Sequence, residues 1–233
     1  MAAVQGQGLK ALLFDVFGTC VDWRTSVARE AAALGLPGER VADAWRARYQ
    51  PQLETVRRGE REWVVLDVLH REALDDVLAG LGLDLPRAER DALNLAWHRL
   101  DPWPDTVAGL ARLKRRYVIA PCSNGHIAQS VALARHAGLP WDAILGAEIA
   151  RAYKPDPSVY LESVAALGLE PGEAMMVAAQ TGDLRAAAGC GLRTAFVRRP
   201  REYGPGQRDD LRGGPGIDVE AGDLEALAQA LGA

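Results

Sequence analysis

The chain has 233 residues, 48% of them apolar, which is enough to fill one α/β domain or a core with a smaller inserted domain. A net charge of −4, from 27 basic and 31 acidic residues, argues against a protein that holds nucleic acid through phosphate contacts. The apolar stretches are shorter than the ~20 residues that span a bilayer, and no secretory pattern opens the chain, so we expect a soluble, cytoplasmic protein without a membrane partner.

The first predicted element is a buried strand that ends on an acid. Residues 9–14 are almost entirely apolar, and Asp15 follows them directly. Ligands of open α/β sheets bind at the carboxyl ends of the strands, which places Asp15 where chemistry is expected. Gly18 permits a turn, and Thr19 brings a hydroxyl within local reach of the carboxylate. Taken alone, Asp15 is equally well explained as a turn former.

The next segment is predicted to be helical throughout. Between Ser26 and about Leu100, apolar residues recur near every 3.6 positions, and no run is typical of a strand. Helices are predicted over 27–34, 39–57, 62–81 and 86–100, with Ser26 capping the first. We therefore expect an all-helical cap, residues 21–101, inserted into a core domain formed by residues 1–20 and 102–233.

Strands and helices alternate in the rest of the chain. Strands are predicted over 117–120, 175–178 and 194–197, with a short apolar stretch at 143–145. Helices are predicted over 105–115, 127–136, 157–167 and 183–189, and a last one starts at Asp223. Residues 198–216, rich in Gly, Pro and Arg, are predicted to be an ordered-to-mobile loop. This alternation indicates a doubly wound, Rossmann-like parallel sheet, so the fold class is α/β with a helical cap.

Polar side chains follow three of the later strands or their loops. Each has an ordinary explanation on its own, as a turn residue, a solvated lysine or a helix cap. Their convergence with Asp15 at one edge of the sheet favours an enzyme. These residues are Ser123, Asn124, Lys154, Gln180, Thr181 and Asp183.

These motifs resemble those of the haloacid dehalogenase superfamily. The matching stretches are residues 15–19, 123–125 and 154–155 and the acid Asp183, and the helical insert follows the first of them. Residues 21–24 and 199–206 are similar to the type II 2-haloacid dehalogenases, so the resemblance spans nearly the whole chain. It implies a hydrolase of carbon–halogen bonds that converts short 2-haloacids, of the (S) type, to 2-hydroxy acids without a cofactor.

Many members of this superfamily are phosphatases, and the chemistry separates the two activities. Phosphoryl transfer here needs an acid two residues after the nucleophile and further acids around Mg²⁺. Phe17 stands two residues after Asp15, and Ala187 stands four after Asp183, so no metal site is expected. An aromatic ring suits an apolar carbon–halogen bond, whose halide leaves without a proton.

The resemblance also implies a role for each site residue. Asp15 displaces the halide to form an aspartyl ester, which water then hydrolyses. Lys154 holds Asp15 ionised, Thr19 hydrogen-bonds it, and Asp183 orients Lys154 or helps to activate water. The remaining residues bind substrate: Ser123 and the N–H groups near Val16 and Phe17 take its carboxylate, Arg46 and Asn124 take the halide, and Tyr160 and Gln180 line the site.

Several alternatives remain open at this point. Arg46 is also explained as a surface charge beside Glu39 or Asp43, and Tyr160 as a core aromatic. Gln180 stands where relatives of this type have Asn or His, and because Gln cannot shuttle a proton as His can, ester hydrolysis would be slow if it depended on that proton transfer. Gly182 replaces an aromatic wall, which predicts a wider or wetter pocket.

Three other functions compete with the dehalogenase. One is a Mg²⁺-dependent phosphatase acting on a small phosphate ester, and another is a binding protein whose catalytic site has decayed. The three cysteines are expected to be reduced thiols, and a thiol enzyme using Cys20 or Cys122 with His126 is the third. A homodimer through the third and fourth cap helices is also consistent with the sequence, although burial against the core explains their apolar faces equally well.

Overall fold

The computed structural model describes residues 8–233, and its main feature is a parallel sheet of six strands. Residues 1–7 of the predicted core lie outside the described part. In spatial order the strands are β5 (Leu145–Gly146), β4 (Val118–Ser123), β1 (Ala11–Phe14), β6 (Ala174–Ala178), β7 (Arg193–Val197) and β8 (Val219–Ala221). Every residue of β1 and β6 is buried, as expected for central strands covered on both faces. The predicted α/β class is confirmed.

The register of the central strands brings three chain segments to the same edge. Phe14 of β1 pairs with Pro121 of β4 on one side and with Val177 of β6 on the other. The Asp15 N–H then donates to the carbonyl oxygen of Val177 at 2.9 Å. Asp15 consequently leaves the sheet beside the carboxyl ends of both neighbouring strands, as the sequence predicted.

The segment after β1 forms a layer of helices above that edge. It contains α1 (Trp23–Ala33), α2 (Gly38–Arg57), α3 (Leu66–Leu81), α4 (Arg87–Asn94) and a 3₁₀ turn at Leu95–His98. The helices begin and end at a short antiparallel pair, β2 (Val21–Asp22) with β3 (Asp101–Pro102). Residues 26–100, all of them described, contain no strand, in agreement with the sequence.

Two helix boundaries in this segment differ from the prediction. Asp22, not Ser26, caps α1, because its carboxylate accepts the Thr25 N–H at 3.0 Å. Ser26 lies inside the helix, and its hydroxyl accepts the Asp101 N–H at 2.9 Å. The predicted fourth helix breaks after Asn94 into the 3₁₀ turn.

The remaining helices cover the faces of the sheet. They are α5 (Thr106–Leu113), α6 (Ile127–Ala137), α7 (Ala147–Ala150), α8 (Pro157–Ala166), α9 (Thr181–Gly189) and α10 (Leu224–Ala230). The last helix was predicted to start at Asp223; this residue is its N-cap, since its carboxylate accepts the Ala226 N–H, and α10 begins one residue later. The sequence did not predict α7, β8 or the β2–β3 pair. No helix within residues 8–233 combines the length and apolar character needed to cross a bilayer.

The loop predicted over 198–216 has neither helix nor strand, but its beginning is packed into the molecule. Arg199 is buried and forms a two-pronged ion pair with Asp105, at 2.7 and 2.8 Å. Its Nε also donates to the carbonyl oxygen of Thr19 at 2.8 Å. Glu202 is completely buried. The start of this loop therefore packs against the turn that follows β1.

Candidate active site

A buried lysine joins two carboxylates at the carboxyl edge of the sheet. Lys154 Nζ lies 2.9 Å from Asp15 Oδ1 and 2.5 Å from Asp183 Oδ2. Asp15 is only 9% exposed, so these charges act on one another with little screening by solvent. Burial alone would lower the pKa of Lys154, but the two carboxylates outweigh burial and raise it well above its ordinary value. The lysine is thus a fixed cation beside Asp15.

Asp183 is held from its other side by a phenol. Tyr160, on α8, donates its hydroxyl to Asp183 Oδ1 at 2.5 Å. Burial and the neighbouring carboxylate raise the pKa of Tyr160, so the phenol remains a donor. Asp183 lies in the first turn of α9 and is not its N-cap. With both oxygens bonded, Asp183 fixes the position of Lys154.

The second oxygen of Asp15 contacts the residue predicted to hydrogen-bond it. Thr19 donates its hydroxyl to Asp15 Oδ2 at 2.9 Å. The Thr19 oxygen in turn accepts the Ala179 N–H at 2.9 Å, which fixes the direction of the hydroxyl proton. The carboxylate of Asp15 is therefore oriented by one cation and one hydroxyl.

Gln180 connects this site to a carboxyl group that sequence reasoning missed. Gln180 Nε2 donates to Glu202 Oε2 at 2.7 Å, and its Oε1 lies 3.4 Å from the Thr19 hydroxyl. Glu202 also accepts a hydrogen bond from Trp23 Nε1 at 3.3 Å. Burial raises the pKa of Glu202 to about 7. A side chain on Gly18, whose φ is +91°, would collide with this carboxylate, so the glycine is required there.

The predicted halide-binding residues meet at the interface between α2 and the end of β4. Asn124 Nδ2 donates to the Tyr49 hydroxyl at 2.9 Å, and Asn124 Oδ1 accepts the Lys154 N–H at 2.8 Å. The Arg46 guanidinium lies 4.3 Å from the centre of the Tyr49 ring. Asp43 and Glu39 are paired with Arg24 instead, so the alternative that made Arg46 a surface ion-pair residue is not supported.

The residues predicted to take a substrate carboxylate surround the turn after β1. Within residues 8–233, the backbone N–H groups of Val16 and Phe17 have no backbone acceptor. The Ser123 oxygen accepts the Gly125 N–H at 3.2 Å, which leaves the Ser123 proton available. Val16 and Ser123 are buried behind the cavity and do not line it. Val16 nevertheless follows Asp15 directly in sequence, and Ser123 ends β4, the strand that pairs with β1.

One cavity of about 560 Å³ brings most of the predicted residues together. Gly182 also lines it, and a Cβ placed there would meet nothing within 4 Å. The predicted wider pocket is therefore consistent with the geometry at this position. The cavity walls include eight of the predicted site residues: Asp15, Phe17, Arg46, Asn124, Lys154, Tyr160, Gln180 and Asp183.

The Phe17 ring lines the cavity at the position where a phosphatase would have an acid. The Phe17 ring packs edge-on against Trp97, with ring centres 5.8 Å apart, and Trp97 packs edge-on against Trp45.

Mg²⁺ prefers several oxygen ligands and bound waters. Both oxygens of Asp183 are already bonded to Lys154 and Tyr160, so this donor set fits a fixed ammonium better than Mg²⁺.

The cysteines do not form a thiol site with His126. Burial raises the pKa of Cys122 to about 12 and raises that of Cys20 further, so neither is a thiolate at neutral pH. His126 pairs with Asp67, whereas the Cys20 and Cys122 thiols donate to the carbonyl oxygens of Asp15 and Val159. The thiol-enzyme alternative is therefore disfavoured by the structure.

Sequence reasoning missed several residues of the cavity and its supporting wall. Tyr49 and Arg57 come from α2, and the Arg57 guanidinium donates to the carbonyl oxygen of Lys154. The sequence pattern marks Tyr49 only as part of an apolar helix face and Arg57 only as a helix end. Glu202 lies within the stretch 199–206, and that similarity was the only signal that could have found it.

Comparisons with known proteins agree on one family. The profile of the haloacid dehalogenase-like hydrolases matches residues 9–191. An (S)-2-haloacid dehalogenase of Burkholderia cepacia is 31% identical over 84% of this chain and 87% of its own. A crystal structure of a defluorinating L-2-haloacid dehalogenase is 49% identical, with a TM-score of 0.94 over 97% of this chain and 96% of that one. An L-2-haloacid dehalogenase of Xanthobacter autotrophicus with chloropropionic acid covalently bound is 25% identical, with a TM-score of 0.81 over 95% and 97%.

Proposed function

The chain belongs to the haloacid dehalogenase-like hydrolases, and from this premise we propose that it hydrolyses short 2-haloalkanoic acids to 2-hydroxy acids. The observation that carries the proposal is the buried Asp15 carboxylate, which Lys154 and Thr19 orient in a cavity that Phe17 also lines. The substrate named for one structural relative, chloropropionic acid, belongs to the same class. We expect the (S) enantiomers to be the substrates, as the names of the sequence relatives state for those enzymes.

The first step in the proposed mechanism is displacement at carbon. An Asp15 oxygen attacks the carbon that bears the halogen, the carbon–halogen bond breaks, and the halide leaves with the bonding electrons. The ammonium of Lys154, 2.9 Å from Asp15 Oδ1, offsets the negative charge of the carboxylate and holds it in position. Because the leaving halide needs no proton, the phenyl ring of Phe17 can replace the acid that a phosphatase requires.

The second step hydrolyses the aspartyl ester. Water attacks the carbonyl carbon of the Asp15 side chain, the ester bond to the 2-hydroxy acid breaks, and the carboxylate is restored with one oxygen from water. The N–H groups of Val16 and Phe17, which have no backbone acceptor within residues 8–233, suit the substrate carboxylate, aided by the Ser123 hydroxyl. One proton of the water passes to the departing 2-hydroxyl oxygen, and the other is accepted by Asp183, which Lys154 joins to Asp15.

We assign halide binding to Arg46 and Asn124. Both line the cavity, and both contact Tyr49, so the halide would lie between a guanidinium and an amide N–H. Such donors stabilise a negative charge that develops only as the carbon–halogen bond breaks. Tyr160 and Gln180 also line the cavity, and the Thr19 hydroxyl donates a hydrogen bond to the nucleophile.

The test is halide release from chloroacetate, 2-chloropropionate and fluoroacetate by the wild type and by Asp15→Asn. We expect release by the wild type and loss of at least about 10³-fold in the variant, because an amide is a far weaker nucleophile. Asp76→Asn, on an exposed position of α3, is the matched control and should behave like the wild type.

The intermediate is tested by turnover in ¹⁸O water followed by mass spectrometry of the quenched protein. Label should enter Asp15 over repeated cycles if the ester forms there, and label entering only the product would exclude it. Phosphate release from a small ester that stops on chelation, without halide release from any haloacid, would favour the phosphatase. No turnover of either kind would favour a binding protein.

Three further predictions from the sequence remain proposals. Residues 21–101 are proposed to act as a cap over the strand ends, with residues 102–233 and the N-terminal strand as the core. A cytoplasmic location and a homodimer are also proposals. Sedimentation of the purified chain would decide between monomer and dimer.

A further inference from the structure

Outside the cavity, one carboxylate lies between two imidazoles. Asp67 is in the first turn of α3, His98 ends the 3₁₀ turn, and His126 directly precedes α6. His98 Nε2 is 2.9 Å from Asp67 Oδ2, and His126 Nε2 is 3.5 Å from the same oxygen. One donor atom from each residue lies within 4.8 Å of the other two. None of the three lines the cavity.

The spacing of these atoms suits a small tetrahedral metal ion. Zinc bonds of about 2.0–2.2 Å to nitrogen and oxygen place neighbouring ligand atoms about 3.4 Å apart. The two measured separations from Asp67 Oδ2, 2.9 and 3.5 Å, bracket that value. Two imidazoles and one carboxylate also form a common zinc donor set that leaves one position open.

A fully buried amide adjoins Asp67. Gln129, in the first turn of α6, places Nε2 3.5 Å from Asp67 Oδ1, and its Oε1 has no hydrogen-bond partner among the described residues. Buried polar atoms are rarely left unpaired, and the exceptions often mark a missing water or ion.

We propose that Asp67, His98 and His126 bind one Zn²⁺ ion, which joins the helical layer to the sheet domain. Asp67 and His98 come from the segment between β2 and β3, whereas His126 follows the site residue Asn124 by two positions. A bound ion therefore links the helical layer to the loop that carries Asn124. The proposal is independent of the reaction at Asp15.

The test is titration of Zn²⁺ into the full chain after removal of metal by a chelator, with a chromophoric chelator as competitor. We expect one equivalent to bind, and His98→Gln and His126→Gln each to weaken binding at least about tenfold. His136→Gln is the matched control, because His136 also pairs with an aspartate, Asp101 at 3.4 Å, whose other partner is Arg29 in place of a second histidine. Circular dichroism would confirm that each variant is folded.

Hydrogen exchange would show whether the ion bridges the two parts. Zn²⁺ should slow amide exchange at the start of α3 and at the start of α6 together in the wild type, and in neither place in His126→Gln. If the wild type binds no equivalent of Zn²⁺, the proposal is overturned, and Asp67 contacts the two imidazole rings without an ion. Equal affinity in the wild type and both histidine variants would also overturn it.

Discussion

Lys154 carries the positive charge that two buried carboxylates share. Its side chain is 7% exposed, and Asp15 and Asp183 both bond to its ammonium. Lys154→Met leaves those carboxylates buried without a cation, which should cost about 3–5 kcal/mol in the free energy of unfolding. The loss should also remove halide release, because Asp15 loses the cation that orients its carboxylate. Urea unfolding and a halide assay measure the two effects.

Lys114→Met is the control for that substitution. Lys114 pairs with Asp142 at 2.6 Å, but both side chains are more than a third exposed. Exposed pairs contribute about 0–1 kcal/mol, so the variant should unfold and turn over much like the wild type. A Lys154→Met protein that remained active and as stable as the control would contradict the role given to the buried ammonium.

Glu202 gives the stability of the protein a pH dependence of a definite sign. Its pKa is raised from an ordinary 4.5 to about 7, so the folded protein holds the proton over a range in which the unfolded chain has lost it. The folded state therefore loses stability as pH rises from about 4.5 to 7, by about 3 kcal/mol at most from this group. Glu202→Gln has no proton to lose and should lack this decline.

The measurement is the free energy of unfolding at about pH 5 and about pH 8 for the wild type and Glu202→Gln. Other groups titrate in both proteins, so the difference between their two pH responses isolates Glu202. The wild type should become less stable, relative to the variant, at the higher pH. Equal responses would show that the carboxyl group ionises as readily in the fold as in the unfolded chain.

At the scale of elements, the strands with the longest apolar runs were predictable and the shortest ones were not. β1 and β6 are central and buried on both faces, so their residues had to be apolar without interruption. β8 has three residues and β2 and β3 have two each. Such short strands form because a partner lies alongside them, and that partner is brought close by the rest of the fold.

The site residues also divide into those that the sequence could predict and those that it could not. Asp15 follows a strand directly, and Lys154 and Asp183 lie in or just after loops at the same sheet edge, so topology alone brought them together. Tyr49 reaches the site from the buried face of a helix, and Glu202 reaches it from a loop. Nothing in their local sequence distinguishes them from a core tyrosine or a solvated acid, because their positions depend on packing between distant elements.

The first turn of α9 is predicted to set the size of the accepted substrate. Gly182 lines the cavity and faces open space, so Gly182→Trp should fill the entrance without a clash at Cβ. We expect kcat/KM for 2-chlorohexanoate to fall about 10–200-fold, since each misfitted methylene costs about 1–3 kcal/mol, while chloroacetate should be little affected. Steady-state kinetics on a series of chain lengths measures this.

Gly189→Trp is the matched control for the entrance variant. Gly189 is in the same helix and is exposed, and a Cβ at this position would also meet open space, but the residue does not line the cavity. It should leave the chain-length profile unchanged. The same loss with long and short acids in Gly182→Trp would mean that the ring disturbs the nucleophile and not the entrance.

For the whole molecule, polar contacts tie the helical layer to the strand-end loops. Tyr49 bonds to Asn124, and the Tyr153 hydroxyl donates to the carbonyl oxygen of Val64 at 2.6 Å. Arg57, the last residue of α2, donates to the carbonyl oxygen of Lys154. These bonds reach Asn124, Tyr153 and Lys154, and Lys154 contacts the nucleophile. The position of the helices and the geometry of the site therefore depend on each other.

Arg57→Ala tests that dependence. A hydrogen bond from a charged group contributes about 1.5–3 kcal/mol, so its loss should lower kcat/KM for 2-chloropropionate about 10–100-fold. KM should rise more than kcat falls, because Arg57 holds the helices over the bound acid and takes no part in the bond changes at Asp15. Arg58→Ala is the control, since Arg58 also pairs with Glu54 but is 65% exposed. If Arg58→Ala matched Arg57→Ala, the effect would come from the charge of α2 and not from the bond to the Lys154 loop.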